Sequence, residues 1–394
     1  KLFDRSYQTV VGAVMKIIPA YKQELIVGEG CMEQAPWLLR ENNCVRPMIV
    51  TGPRVGQSDF FQRLRRMIPE GIVFDQVEPD PTTELVGRIM DLYLEKDCDS
   101  FVAIGGGSDI DAAKAAAAGL ARQEKKLTQL GGVLKVREMI PFFIAIPTTA
   151  GTGSETTSSA VITDSETGRK FTIGDPMLCP YAVILDPALT ESLPKEMVAA
   201  SGMDALTHAV EAYFNWRYHK RKTPKLCLAA IHDVMLYLPF VYEDNTSVAA
   251  RQKLLLASYR AGQAFNTACV GNVHAIAHAI GGMYHLPHGY VNAVVLPAVL
   301  EDYGKKVTRP LADMGRISGC KGNSREELAS AFIDRIRELN REMDIPETIP
   351  QIRVGDMDQM ADWAVREANP LYPVPIIYSR DDVKRVLTAV SDLH

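Results

Sequence analysis

Four histidines crowd into fifteen residues of this chain: His274, His278, His285 and His288, in HAIAHAIGGMYHLPH. The whole sequence contains only eight. Upstream, SGMDALTHAVEAY sets Asp204 and His208 four residues apart. Residues at i and i+4 share one helix face. One helix would therefore point a carboxylate and an imidazole the same way, and a second would do so with His274 and His278. His288 follows a Gly-Gly pair and a proline, so it can return to the same point from a loop or a new helix start. Any one of these histidines reads well as a hydrogen-bonded core or surface residue. Taken with Asp204, the set reads as a site for a divalent metal such as Fe(II), Zn(II), Co or Ni.

Two glycine-bearing stretches suggest a second kind of chemistry. GGGSDIDAAK (105–114) follows an apolar run and precedes an alanine-rich helix. Glycines let a backbone approach a pyrophosphate, and a helix N-terminus offers free N–H groups. The same pattern also serves as a plain strand-to-helix turn. PTTAGTGSE (147–155) offers threonine hydroxyls and bare backbone that could bond a nucleotide, or form a polar loop.

Together these motifs resemble the iron-dependent (type III) alcohol dehydrogenases, and the resemblance covers nearly the whole chain. It implies that Asp204, His208, His274 and His288 are metal ligands, with Fe(II) the expected ion and Zn2+ a possible substitute. It implies that Gly106, Gly107 and Ser108 meet the pyrophosphate of NAD(H) or NADP(H), and that Thr148, Thr149 and Thr152 also contact the cofactor. Lys170 matches a family lysine near the nicotinamide ribose. Asp109 stands where many members carry a small or apolar residue. Gly52 occupies the strand end where NAD-using members carry an acid, and Arg54 lies close by in sequence, so the reading favours NADP(H). His278 falls on a histidine beside the metal ligands. It is the candidate catalytic residue, relaying a proton, with a purely structural hydrogen bond as the rival role. Phe265, Asn266 and Tyr372 are further candidates to face the substrate, and His285 is read as facing solvent.

The expected activity is therefore hydride transfer between NAD(P)(H) and a small primary alcohol or aldehyde, with the carbonyl polarised by the metal. Two alternatives share the architecture: a dehydroquinate-synthase-like lyase, and a glycerol-dehydrogenase-like polyol dehydrogenase using zinc. The metal stretches lack the lysine and arginine cluster that a phosphorylated lyase substrate needs, and the third histidine favours iron. The resemblance also implies a homo-oligomer.

The elements that must position these residues are legible in outline. RPMIVTG (46–52), GIVFDQVE (71–78), DSFVAIGGGS (99–108) and PFFIAIPTTAGTGSE (141–155) read as buried strands alternating with helices. That pattern predicts an α/β, doubly wound, mostly parallel dinucleotide-binding domain over residues 1–187. A hairpin with its turn at 164–168 and a last strand ending at Asp186-Pro187 close it. The first thirty residues read as short strands and turns. Residues 188–394 show almost no strand signal and predict an all-α metal-binding domain.

Bulk properties narrow the classes. The chain has 394 residues, 47% hydrophobic and 23% charged, as expected for a globular protein with two cores. A net charge of −5 gives no reason to expect a nucleic-acid or anionic-membrane partner. Seven scattered cysteines form no CxxC pair, which argues against a disulfide framework and predicts a cytoplasmic setting. No unbroken apolar run suggests a spanning helix, and KLFDRSYQ lacks the layout of a signal peptide. The expected partner is a small alcohol or aldehyde.

Overall fold

The structure, a computed structural model, describes residues 1–17 and 22–393. The chain divides into two compact units: Ala20–Ser192, and Lys1–Pro19 with Leu193–His394.

The first element is a helix, α1 (Leu2–Ile17), grouped with the C-terminal unit. This corrects, over residues 2–17, the expectation of short strands and turns in the first thirty residues, whereas residues 24–27 of the same stretch do form a short strand. Residues 18–21 of that stretch lie outside the described residues. Valines and a tyrosine in α1 favour a strand by local propensity, but tertiary contacts decide. Arg5 donates to the carbonyls of Val374 (2.7 Å) and Pro375 (2.8 Å), and the Gln8 amide donates to Tyr372 O (2.7 Å).

The α/β unit contains β1 (Glu24–Val27), β2 (Pro47–Val50), β3 (Ile72–Phe74), β4 (Ser100–Gly105), β5 (Gly132–Val133), β6 (Phe142–Pro147), β7 (Ser159–Thr163), β8 (Lys170–Gly174) and β9 (Ala182–Leu185). Six of them form a parallel sheet in the order β1-β9-β6-β4-β2-β3. Its helices are α2 (Ala35–Glu41), α3 (Pro53–Gly56), α4 (Asp59–Met67), α5 (Thr83–Glu95) and α6 (Gly107–Ala121). Alternate strand residues feed opposite cores, as a period of two requires. Phe101, Ala103, Phe143 and Ala145 pack with α5 and α6, whereas Val102, Ile104, Ile144 and Ile146 pack with α2 and α4. With helices on both faces, the sheet is doubly wound. Ser58 and Thr82 cap α4 and α5, accepting from Phe61 N (3.3 Å) and Leu85 N (3.2 Å). The predicted hairpin is present: β7 and β8 pair antiparallel, and β5 extends them to a three-stranded sheet.

The second unit is helical: α7 (Lys195–Phe214), α8 (Thr223–Glu243), α9 (Val248–Ala268), α10 (Asn272–Tyr284), α11 (His288–Tyr303), α12 (Thr308–Ile317), α13 (Arg325–Glu342), α14 (Met357–Ala368) and α15 (Arg380–Ala389). Of these, α12 accommodates both a proline and a close backbone approach. Its Pro310 sits in the first turn, where the missing N–H is tolerated. Its Gly315 admits the Leu328 carbonyl, which a Cβ would meet at 2.6 Å. By length and composition α8 is apolar enough to cross a membrane. Its Cys227, Ala230, Ile231, Val234, Leu238 and Val241 are buried within the unit, which accounts for that character. All seven cysteines are free.

Candidate metal centre and dinucleotide loops

Asp204 and His208 lie one turn apart on α7, His274 opens α10, and His288 is the first residue of α11. The left-handed His285 (φ 54°) ends α10 and lets the chain turn into α11. Among the described residues, Asp204, His274 and His288 offer ligand atoms that all lie within 4.8 Å of one another. Asp204 Oδ1 is 3.5 Å from His274 Nε2 and 3.3 Å from His288 Nε2. His208 adjoins this group without joining it so closely. Its Nδ1 is 3.8 Å from Asp204 Oδ1 and is buried with no hydrogen-bond partner. Its ring stacks on His274 (centroids 4.4 Å) and on Phe265 (4.0 Å). A carboxylate facing imidazole nitrogens, with an orphaned imidazole nitrogen beside them, is a donor set that fits a divalent cation.

Electrostatics follow from burial in mixed company. Burial alone would raise the Asp204 carboxyl, but the His208 and His288 rings and hydrogen bonds from His274 and His288 hold it well below its usual range. Burial would lower His274, yet hydrogen bonds to Asp204 and Glu211 raise it to about 9. Burial wins at His208, which drops to about 3.

Three neighbours escaped the sequence reading. Glu211 accepts from His274 Nδ1 (2.6 Å), from Gly271 N (2.8 Å) and from Val273 N (2.6 Å). It thereby fixes the start of α10 and turns Nε2 of His274 toward Asp204. Asp204, His208 and Glu211 stand at i, i+4 and i+7, so the helix face that revealed the first two carried the signal for the third. Asn292 lies one turn after His288 and donates to Asp204 Oδ1 (2.9 Å). Its Nδ2 is also 3.0 Å from His288 Nε2 and 3.3 Å from His274 Nε2. Glu367, on α14, meets His278 Nδ1 at 2.7 Å, and no local pattern announces it.

His278 itself is 44% exposed, and its ring stacks against His288 (centroids 4.9 Å). Against the upward push of burial, the His278 ring and the Tyr372 hydroxyl, which donates at 2.9 Å, hold the Glu367 carboxyl below its usual range. Tyr372 thus reaches His278 through Glu367. His285 is exposed.

In the α/β unit, neighbouring strands β4 and β6 end together, with Gly105 opposite Pro147 in register. The two glycine loops therefore emerge side by side, joined by Thr148 N donating to Gly105 O (2.9 Å). A Cβ on Gly107 would meet Thr152 at 2.8 Å, so only glycine lets the loops approach this closely. Gly106, Gly107, Ser108, Thr148, Thr149 and Thr152 are in this way brought to the carboxyl ends of two central strands, at the N-terminus of α6. That combination suits a pyrophosphate.

Gly52 ends the adjacent strand β2, and Arg54, exposed, donates to Ser192 O at 3.3 Å. Lys170 is exposed on β8, ion-paired to Asp80 at 2.6 Å. The remaining charged residues of GGGSDIDAAK beyond Asp109 are structural. Lys114 is fully buried and donates to Ser154 O, Thr157 O and Thr157 Oγ1 at 2.8 to 3.1 Å. Asp111 meets the Ser154 hydroxyl and Val161 N. This pair fastens the threonine loop to α6.

Comparison with known proteins agrees with both units. A family model described as iron-containing alcohol dehydrogenase matches residues 22–187, and one for the C-terminal part of the Fe-containing alcohol dehydrogenase family matches 198–391. The chain is 34% identical over 382 residues to alcohol dehydrogenase 4 of Schizosaccharomyces pombe, covering 94% of this chain and 87% of that protein. It is 32% identical over 385 residues to the NADPH-dependent butanol dehydrogenase of Clostridium saccharobutylicum, covering 93% and 96%. The NAD-dependent methanol dehydrogenase of Bacillus methanolicus is 33% identical, covering 84% and 88%. The solved structure of an alcohol dehydrogenase from Oenococcus oeni superposes with a TM-score of 0.90 at 30% identity, covering 94% of this chain and all of the other. A 1,3-propanediol oxidoreductase gives a TM-score of 0.90 at 29% identity, covering 94% and 98%. With both units matched and whole-length relatives at this identity, the chain belongs to the iron-containing alcohol dehydrogenase family.

Proposed function

We propose that this protein is a metal-dependent oxidoreductase acting on CH–OH groups, transferring a hydride between NAD(P)(H) and a small primary alcohol or its aldehyde. The observation that carries this reading is the convergence of Asp204, His274 and His288, with Glu211 behind His274. When bound, the cation supplies Lewis acidity to the substrate oxygen and the dinucleotide carries the hydride. Under this reading Asp204, His274 and His288 would hold the cation, with the unpartnered Nδ1 of the adjoining His208 as a further donor. Fe(II) follows from the family, and Zn2+ would also suit these donors.

Glu211 keeps His274 in the tautomer that offers Nε2. His278, with Nδ1 tied to Glu367, has Nε2 left to take or return the proton of the alcohol. Gly106, Gly107 and Ser108 would receive the pyrophosphate, Thr148, Thr149 and Thr152 would bind the remainder of the dinucleotide, and Lys170 would meet the nicotinamide ribose. With no side chain, Gly52 puts no carboxylate of its own at the end of β2, which supports acceptance of NADP(H) as well as NAD(H).

The lyase and zinc polyol-dehydrogenase readings are not favoured, since the relatives are alcohol, butanol, methanol and propanediol dehydrogenases. The scattered free thiols support a cytoplasmic location, and the family supports a homo-oligomer, which light scattering on the eluting peak would test.

The deciding experiment strips the protein with a chelator, restores Fe(II) or Zn(II), and follows oxidation of NADH and NADPH with a panel of short-chain aldehydes. Turnover should fall by at least about 100-fold on stripping and return with metal. Full turnover in metal-free protein would overturn the reading.

A further inference from the structure

Asp109, the third residue of α6, does more than shape the glycine turn. Its Oδ2 accepts from Gly106 N at 2.8 Å and backs Gly105, whose φ of 154° and closeness to this carboxyl leave no room for a side chain. Its Oδ1 is turned toward β2 and would lie 3.2 Å from a Cβ on Gly52. A Cβ there would also meet Val77 O at 2.8 Å, so Gly52 is held to glycine from both sides.

The place matters. From β2 the chain steps outward to β3, then returns to β4 on the other side of β2 and continues away through β6 and β9. The strand order therefore reverses between β2 and β4. In open α/β sheets a ligand binds outside the carboxyl ends of the strands at this reversal, and in dinucleotide sites a nearby acid hydrogen-bonds the ribose 2′-hydroxyl. Asp109 spans the reversal point, rooted after β4 and reaching the end of β2. Little water reaches it, so its charge is weakly screened.

We propose that Asp109 supplies from α6 the carboxylate that β2 lacks at Gly52, accepting the ribose 2′-hydroxyl of NAD(H) and disfavouring the 2′-phosphate of NADP(H). A carboxylate near a phosphate dianion in a poorly hydrated site repels it, whereas the same oxygen is a good acceptor for a hydroxyl. The sequence alone placed no acid here, because Asp109 is 57 positions from Gly52 and belongs to another strand's loop. This inference rests on the dinucleotide reading of the α/β unit and, within it, reverses the preference for NADP(H) that Gly52 and Arg54 suggest by themselves.

The test uses the full chain, metal-stripped, and measures equilibrium binding by calorimetry at pH 8, above the value of about 7 to which burial pushes the carboxyl. The probes are ADP-ribose and its 2′-phosphate, which carry the adenosine end without the nicotinamide. The unaltered protein should bind ADP-ribose about tenfold or more tightly than the 2′-phosphate. Asp109→Asn, which keeps an oxygen for Gly106 N, should reduce that ratio about tenfold, chiefly by gaining affinity for the 2′-phosphate. A melting temperature at pH 8 no lower in the variant than in the parent shows that the turn persists. Equal or tighter binding of the 2′-phosphate by the unaltered protein, or a ratio unmoved in Asp109→Asn, would overturn the proposal. Failure of the unaltered protein to bind either probe would instead overturn the dinucleotide reading on which it rests.

Discussion

At the scale of single residues, the proposed metal centre sets groups placed to hold a cation beside one placed to move a proton. His274 is buried and clamped between Asp204 and Glu211, while His278, one turn on, is half in solvent and tied to Glu367. His274→Ala should therefore lose bound metal, measured by elemental analysis. His278→Ala should retain metal and lose about 100-fold in kcat. Equal metal loss in both variants would count against the proton-relay role. Glu211→Gln tests the support behind His274. It removes the charge that fixes the ring, so metal affinity should drop about 10- to 100-fold in a competition titration. Asn292 donates to Asp204 and adjoins both histidine rings, so Asn292→Ala should also weaken metal retention, by less than His274→Ala.

At the scale of elements, α6 does the most work. Its alanines pack against β4 and β7, and two of its charges are buried for different reasons. Lys114 satisfies three acceptors in the threonine loop. Lys114→Met would strand those acceptors and leave Asp111 and Glu155 without their buried cation. It should destabilise the α/β unit by about 3–5 kcal/mol in urea unfolding.

Asp109 has the opposite balance, since burial pushes its carboxyl up to about 7. An acid whose folded value is raised binds its proton more tightly when folded. Its contribution is therefore complete below about pH 4 and is lost as pH rises through about 7. Glu155, pushed by burial to about 7, acts in the same sense. Asp109→Asn should remove about 1–2 kcal/mol of the stability lost between pH 4 and pH 8. Denaturant midpoints for variant and parent at those two pH values provide the check, and parallel losses would refute the assignment.

At the scale of the whole molecule, the residues proposed to bind the dinucleotide and the cation fall in two different compact units. The glycine loops lie in Ala20–Ser192, and the histidine centre lies in the unit completed by Lys1–Pro19. Chelation should therefore abolish turnover and lower the unfolding temperature of the helical unit, by several degrees if metal binding contributes a few kcal/mol. Affinity for ADP-ribose should be unchanged.

The sequence by itself determined the class of each unit and the kind of chemistry. Buried strands alternate with helices visibly, i and i+4 spacing exposes Asp204–His208 and His274–His278, and glycine marks close approach. These signals are local, because a helix or strand repeats on the scale of a few residues. Only the tertiary structure decided what those residues face. It made residues 2–17 a helix through the carbonyls of Val374, Pro375 and Tyr372, placed Glu367 behind His278 across 89 positions, and carried the Asp109 carboxyl to the end of β2. Such pairings depend on how distant segments pack, and no periodicity along the chain records which segment will supply the partner.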